Sequence, residues 1–256
     1  MHRGAAVMHD TTVYVIGHRS RTIYSYRLDK DKWKKHSECS HVNPGLVIIN
    51  DLLTTVGGKE GDRPTNKLCS WKGTKWVEMF PPMKTPREGP AVVHYGNYII
   101  TMGDDYEESV ELLHIPSLLW SAVTSLPRPL RDITATLCNN DIIIMDYMGY
   151  AYTISVASLI SATQLEESST QWVSLPQCPV EGYWPGPTLS SLSGQCLVVS
   201  RHGIFQLQDR QWVRIGHMSV PMYYCIACVV CDQMVVVGGT HDYSTSTDAV
   251  RVVVIM

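Results

Sequence analysis

The sequence lacks the features that mark membrane-spanning, secreted and nucleic-acid-binding proteins. Its 256 residues contain no run of eighteen apolar residues, and the first twelve lack the apolar core of a signal peptide. Lysine and arginine number 21 against 24 aspartates and glutamates, for a formal net charge of −3. Because neutralising phosphates requires a basic field, this balance argues against nucleic acid as the main partner. We therefore expect a cytoplasmic protein that binds neither membrane nor nucleic acid.

Regularly spaced cysteines are also lacking. The eight cysteines follow no disulfide pattern, and without a secretory signal they are predicted to be reduced. Cys225, Cys228 and Cys231 have the three-residue spacing of a metal half-site, but they fall in a predicted strand. Residues three apart in a strand point to opposite faces, so we interpret these thiols as small buried apolar groups. No metal and no cofactor is predicted.

Recognisable catalytic motifs are lacking as well. The sequence contains no nucleophile elbow, no HExxH, no phosphate-binding glycine loop and no protein-kinase motif set. The stretch 57–59, Gly-Gly-Lys, lacks the first half of a phosphate loop. We therefore predict that the protein is not an enzyme.

The sequence does contain a repeat marked by tryptophan. Five tryptophans recur at intervals of 43, 44, 52 and 40 residues: Trp33, Trp76, Trp120, Trp172 and Trp212. A period of this size is typical of a repeat protein. Because stacked repeats build extended surfaces, such proteins commonly bind other molecules.

Each repeat contains the pattern of four short strands. Two apolar segments separated by a polar pair come first, a third strand follows, and the tryptophan begins the fourth. Asn, Asp and Gly tolerate the positive φ that a two-residue hairpin requires. The pairs assigned to this hairpin are His9-Asp10, Asn50-Asp51, Tyr95-Gly96, Asn139-Asn140, Ser193-Gly194 and Cys231-Asp232. Four antiparallel strands repeated six times predict an all-β, six-bladed β-propeller, with a short helix only within 156–169.

The repeats resemble those of the kelch family. That family's pattern is a diglycine closing the second strand, a tyrosine ahead of the tryptophan, and a Pro-Met…Arg run leading into the next blade. The matching residues are Gly57-Gly58, Gly238-Gly239, Tyr26 with Trp33, Pro82-Met83…Arg87 and Leu126-Pro127…Arg131. Asp146-Tyr147 and Ser200-Arg201 replace the diglycine in the fourth and fifth repeats. The resemblance covers essentially the whole chain and implies a kelch-type propeller.

The chain is predicted to be one domain, residues 1–256. The expected blades lie at about 3–40, 44–83, 87–127, 131–177, 187–218 and 223–256. The last blade has no tryptophan strand, so we expect it to lack its outermost strand. We interpret this as a fragment or shortened product of a longer protein; the alternative is a genuine three-stranded blade.

One end of the propeller is predicted to be the binding surface. The loop after each second strand and the link before each first strand emerge at this end, which we call the mouth; in kelch propellers it usually binds the partner. The partner-binding residues predicted there are Arg19, Arg21, Arg87, Arg131, Trp184, Arg201, His202, Tyr223, His241 and Tyr243. An acidic run at 104–108 lies opposite. Because arginine pairs with carboxylates through two parallel hydrogen bonds, an acidic peptide is the predicted ligand.

Two of these assignments have alternatives. In the kelch family the arginine at the positions of Arg87 and Arg131 often packs structurally between blades. His18, His202 and His241 come from neighbouring blades and have the composition of a zinc site, but loops on different blades are expected to lie too far apart to share one ion.

The resemblance implies a protein-interaction module that binds a partner protein or peptide. It is similar to the substrate-recognition domains of adaptors for cullin-RING ubiquitin ligases, with the ligase bound through modules outside this chain. A cytoskeletal scaffold of the actin-binding type is the alternative. A propeller enzyme is a third, because catalytic groups in propellers come from scattered loops.

Overall fold

A computed structural model describes residues 4–103, 107–163, 171–180, 188–201, 203–218, 225–230, 233–237 and 250–253. These residues form an all-β propeller in which each sheet is an antiparallel meander. Within them, no helix is both long and apolar enough to cross a lipid bilayer.

Five blades have four strands each. Blade 1 contains β1 (Ala5–His9), β2 (Thr12–Ile16), β3 (Thr22–Arg27) and β4 (Lys32–Glu38), with a 3-10 turn at Leu28–Lys30. Blade 2 contains β5 (Gly45–Ile49), β6 (Leu52–Val56), β9 (Leu68–Trp71) and β10 (Trp76–Glu78), with a small hairpin of β7 (Lys59–Glu60) and β8 (Arg63–Pro64) in its central loop. Blade 3 contains β11 (Ala91–Tyr95), β12 (Tyr98–Met102), β13 (Val110–His114) and β14 (Leu119–Ala122).

The second half of the chain continues this pattern. Blade 4 contains β15 (Thr134–Cys138), β16 (Asp141–Met145), β17 (Ala151–Ser155) and β18 (Val173–Ser174), with helix α1 (Val156–Ala162) between the last two. Blade 5 contains β19 (Thr188–Leu192), β20 (Gln195–Val199), β21 (Gly203–Gln208) and β22 (Gln211–His217). A three-stranded sheet follows, with β23 (Ile226–Val230), β24 (Gln233–Val237) and β25 (Val250–Val253).

The first strands of the sheets form a closed inner ring. Each contacts the first strand of the next sheet, from β1 through β5, β11, β15 and β19 to β23, and β23 contacts β1 in turn. They enclose a narrow central cavity of about 140 Å³, lined largely by small residues such as Gly45, Ala91 and Ala135.

The hydrophobic core lies between the sheets. Ile16 and Ile23 of blade 1 pack with Leu46 and Leu53 of blade 2, and every other pair of neighbouring sheets shares a similar cluster. The β-branched and aliphatic residues of the second and third strands supply most of it, because both faces of these strands are covered.

The repeated tryptophans pack on the core between their own blade and the preceding sheet. Trp120 packs on the core between blades 2 and 3, and its Nε1 donates to the Pro81 carbonyl at 2.8 Å. Trp212 in blade 5 does the same to the Pro176 carbonyl, also at 2.8 Å. Trp76 in blade 2 and Trp172 in blade 4 make no such bond, so the role that recurs with the tryptophan period is packing on the core.

The hairpin predictions are partly confirmed. Asn50-Asp51, Asn139-Asn140 and Ser193-Gly194 form the turns, as the strand registers show. The predictions for blades 1 and 3 are wrong by one residue: the turns are Asp10-Thr11 and Gly96-Asn97. His9 and Tyr95 remain in the strands, because the positive φ falls on the residue after each of them. Cys231-Asp232 lies outside the described residues.

The predicted helix is confirmed over its first half. Helix α1 follows β17 directly and buries Val156 and Leu159 against the core between blades 3 and 4. Residues 164–170 lie outside the described part of the chain. This insertion accounts for the longest interval between the tryptophans.

The diglycine of blade 2 permits a close backbone contact between a blade and the following link. The Gly58 N–H donates to the Arg87 carbonyl at 2.8 Å, and a Cβ on Gly57 would lie 2.6 Å from that same oxygen. Gly57 has φ +60, whereas Gly61 has φ +61 with no heavy atom within 4 Å of its ideal Cβ. The two glycines thus share a backbone conformation but differ in crowding.

We predict that Gly57→Ala destabilises the protein more than Gly61→Ala. Both substitutions incur the left-handed penalty of roughly 1–2 kcal/mol, and only the first adds a clash with backbone. Urea unfolding of the two variants measures the difference. Equal losses of unfolding free energy in the two variants would show that the backbone around Gly57 accommodates the added Cβ without further destabilisation.

Candidate partner-binding mouth

Hydrogen bonds join the loop after the second strand of a blade to a neighbouring link between blades, which places both at the same end of the propeller. Lys59 N in the blade 2 loop donates to the Val42 carbonyl in the preceding link at 2.8 Å, and Val42 N donates back at 3.0 Å. In blade 4, the Gln177 amide donates to the Met148 carbonyl at 2.9 Å. The mouth is therefore a joined layer of loops and links.

The structure describes five of the ten predicted partner-binding residues. Arg19, Arg21 and Arg131 are exposed, Arg201 is half-buried and Arg87 is buried. The other five lie outside the described residues: Trp184, His202, Tyr223, His241 and Tyr243.

Arg19 is held at the mouth by its backbone. It adopts the left-handed conformation with φ 54, and its N–H donates to Asn43 Oδ1 at 2.8 Å. The Asn43 amide donates in turn to Glu88 Oε1 at 2.9 Å. These bonds involve the backbone of Arg19 and not its side chain. The Arg19 guanidinium is exposed and forms no ion pair with any described residue.

A cleft of about 370 Å³ lies between the mouth loops of blades 1 and 2. Its lining residues are His18, Arg19, Val42, Asn43, Lys59, Gly61, Asp62 and Glu88. Lys59 Nζ lies 3.3 Å from Glu88 Oε2, so these two charges offset each other. The other charged residues of the lining are Arg19, which forms no ion pair with a described residue, and Asp62, so the cleft carries two basic and two acidic side chains.

Arg87 lies beneath the mouth and not on it. Its side chain has no exposed surface, and its guanidinium donates to Glu111 Oε1 at 3.1 Å, Ser109 Oγ at 2.6 Å and the Gly103 carbonyl at 3.2 Å. The Glu111 carboxylate also accepts the backbone N–H groups of Lys84 and Thr85 at 2.7 and 2.9 Å. This buried pair fastens the link to blade 3, as the structural alternative for this arginine requires.

In blade 4 a different arginine makes the corresponding ion pair. Arg131 is exposed, while Arg128 lies 3.1 Å from Asp146 Oδ2 with its guanidinium 4.4 Å from the Tyr150 ring centroid. Asp146 also accepts the N–H groups of Met148 and Tyr150. The sequence reasoning missed Arg128; the available signal was Asp146 in place of the family's first glycine, with a second arginine three residues before Arg131.

The acidic side of the mouth is described in part, because residues 104–106 lie outside the described chain. Glu107 Oε1 accepts the Ser109 N–H at 2.9 Å, and hydrogen bonds from Ser109 lower the pKa of this carboxyl. Glu107 is therefore anionic at neutral pH, as the predicted charge division of the mouth requires.

Two histidines, buried His41 and half-buried His36, have pKa values shifted by their surroundings. His41, in the link below the cleft, is 1% exposed, and burial lowers its pKa; burial also lowers the pKa of His36 between Tyr14 and Trp71. Among the described residues, no group of three or more His, Cys, Asp or Glu side chains is arranged to hold a metal ion. His202 and His241 lie outside that part.

Comparisons with known proteins agree with the fold. No family model matches the sequence. Beta-scruin of Limulus polyphemus is 30% identical over 96 residues, which is 33% of this chain and 10% of that protein. The match therefore spans only about a tenth of that relative's length. The solved structure of YjhT superposes with a TM-score of 0.80 at 10% identity, over 99% of this chain and 95% of that one.

We predict that Glu111→Gln strongly destabilises the protein. Removing one member of a buried ion pair leaves the Arg87 charge uncompensated, at a typical cost of about 3–5 kcal/mol. Denaturant unfolding measures the loss. The matched control is Asp29→Asn, which breaks the exposed Arg27–Asp29 pair and is expected to have a far smaller effect. Similar losses in both variants would contradict a fastening role for the buried pair.

We further predict that stability falls as the pH decreases below about 6.5. Because the folded-state pKa values of His36 and His41 lie below the ordinary 6.5, the unfolded state takes up protons first. Each group contributes at most about 1.4 kcal/mol per pH unit. His41→Gln should reduce the slope of unfolding free energy against pH between 7.5 and 5.5, whereas His217→Gln, on the exposed end of β22, serves as control. Equal slopes in both variants would refute the role of His41.

Proposed function

We propose that this protein is an interaction propeller whose mouth binds an acidic peptide or an acidic segment of a partner protein. The observation that carries the proposal is exposed Arg19, which lines the cleft between blades 1 and 2, together with exposed Arg21 two residues further along the chain. Neither guanidinium forms an ion pair with a described residue. Both are thus available to a carboxylate from outside.

Arginine suits this role for geometric reasons. Its planar guanidinium offers parallel N–H donors that match the two oxygens of a carboxylate. The Arg19 backbone is held by Asn43, so little backbone order remains to be gained when a ligand binds. Arg131, Arg201, Trp184, His202, Tyr223, His241 and Tyr243 extend the proposed surface, and Arg87 supports it from below.

The proposal includes a kelch-type architecture with six blades. The three-stranded sheet β23–β25 would be the sixth blade, with boundaries near 3–40, 44–83, 87–127, 131–177, 187–218 and 223–256. Its support is the contact of β23 with both β19 and β1, the Tyr26–Trp33 ring pair with centroids 5.1 Å apart, and the similarity to Beta-scruin, a kelch-repeat protein.

A narrower form of the proposal is a cytoplasmic substrate adaptor. In it, the mouth selects the substrate and a cullin-RING ubiquitin ligase is bound by modules outside this chain. Its support is the resemblance of the repeats to the kelch family; the cysteines bear only on the compartment, because Cys39, Cys69, Cys138, Cys178, Cys196, Cys225 and Cys228 form no disulfide and burial raises the pKa of Cys69 to about 11. Such protonated thiols suit a reducing compartment.

The test is affinity capture from cells followed by quantitative mass spectrometry. We expect proteins captured by the wild-type chain to fall at least tenfold with Arg19→Glu/Arg21→Glu, because charge reversal repels their carboxylates. Lys72→Glu/Lys75→Glu makes the same charge change at the β9–β10 turn, away from the mouth, and should leave capture unchanged. Partners that persist in the mouth variant would refute the mouth as the binding surface.

A further inference from the structure

The net charge of −3 conceals a strongly basic segment in blade 1. Seven of the 21 lysines and arginines fall within residues 19–35, alongside only two acidic residues, Asp29 and Asp31. The rest of the chain therefore holds fourteen basic against twenty-two acidic residues. A local field of opposite sign to the net charge is thus built into one blade.

This segment runs from the mouth to the opposite end of the propeller along the outer wall. Strand β3 leaves the mouth after Arg21, the turn at Leu28–Lys30 lies at the far end, and β4 returns. The seven residues of β4 span about 23 Å. We call the exposed lysines of this stretch, Lys30, Lys32 and Lys34, the basic wall.

The basic wall is not neutralised from within. Arg27 pairs with Asp29 at 2.7 Å, and Lys35 pairs with Glu38 at 2.6 Å. Asp31 accepts the Tyr26 hydroxyl at 2.5 Å, which raises the pKa of Tyr26 to about 12. Arg27 and, to a smaller extent, Lys30 lower the pKa of Asp29, so the charge of Lys30 is partly offset; Lys30, Lys32 and Lys34 are exposed and form no ion pair with any described residue.

The wall coincides with an open sheet edge. In the described residues β4 pairs only with β3, so the backbone N–H and C=O groups of its outer side are not used within the sheet. The outer strands of blades 2, 3 and 4 have three, four and two residues, whereas β4 and the outer strand of blade 5, β22, have seven each. A bulge at His36, between the pairs Tyr24–Lys35 and Ile23–Ser37, interrupts the ladder, so residues 32–35 are the regular stretch along which a further strand can pair.

We propose that β4 is a docking edge for an acidic, extended segment of a partner protein, which adds to blade 1 as a fifth strand. Lys32 and Lys34 are two residues apart and therefore share one face. Carboxylates at alternate positions of the added strand would meet them as cross-strand pairs. This surface is separate from the mouth, so the proposal does not depend on binding there.

If the same lysines instead protect the edge strand, the experiment has a different expected outcome. Lysines on an exposed edge strand also prevent edge-to-edge pairing between copies of a chain. In that case the wild-type protein would not bind an acidic strand, and Lys32→Val/Lys34→Val would self-associate. The acidic-segment proposal requires binding by the wild-type protein itself.

The experiment uses a fluorescein-labelled ten-residue peptide of alternating Glu and Thr, with binding followed by anisotropy at low salt. We expect Lys32→Glu/Lys34→Glu to weaken binding at least tenfold. Lys72→Glu/Lys75→Glu, with the same charge change on blade 2, and Arg19→Glu/Arg21→Glu, at the mouth, should each change it less than threefold. Thermal unfolding by circular dichroism confirms that each variant is folded.

Hydrogen exchange then tests the pairing itself. Bound peptide should slow exchange at β4 amides, because an added strand accepts their outward N–H groups. Absence of wild-type binding, equal binding by the wall variant, or protection elsewhere without protection of β4 would overturn the proposal. So would a single-stranded DNA 20-mer that binds more tightly than the peptide and is lost in the wall variant, since the partner would then be nucleic acid.

Discussion

The constraint on which the rest of the structure depends is that a blade cannot bury its own two faces. A four-stranded sheet of this size is covered only by the sheets on either side, so stability comes from the spaces between blades. Because the first strands form a closed ring, every sheet has a neighbouring sheet on each side. The tryptophans of the outer strands contribute to this packing. Trp120 and Trp212 cover the edge of the preceding core, and each donates a hydrogen bond to a carbonyl in the link.

The same constraint explains why buried charge lies beneath the mouth. Packing between sheets does not order the links, which have no strand partners of their own along most of their length. In blade 3 the Arg87–Glu111 pair fixes the link, and in blade 4 Arg128 and Asp146 do so with different geometry. In both blades the carboxylate also accepts backbone N–H groups near the mouth, which orders the backbone there.

Much of the fold was predictable because its determinants are periodic. The tryptophan interval, the paired apolar segments and the turn residues define the five four-stranded blades and the helix at α1. The turns of blades 1 and 3 were missed by one residue because His9 and Tyr95 are adjacent to a better positive-φ residue. The roles of Arg87 and Arg131 could not be assigned, since no period determines side-chain direction in a link. Arg128 departs from the family pattern and is recognised only through its contact with Asp146.

The local charge of blade 1 differs in sign from the net charge of the whole chain. Exposed charges in physiological salt act over about 8–10 Å, so a ligand responds to the blade it meets and not to the net charge of the molecule. The argument from −3 against a polyanion therefore holds for most of the surface but not for blade 1, where the mouth arginines and the lysines of β4 form one basic tract. An acidic segment bound at the mouth would leave the propeller along this tract. The two surfaces would then act on one partner as linked sites, with the second contact made at high effective concentration.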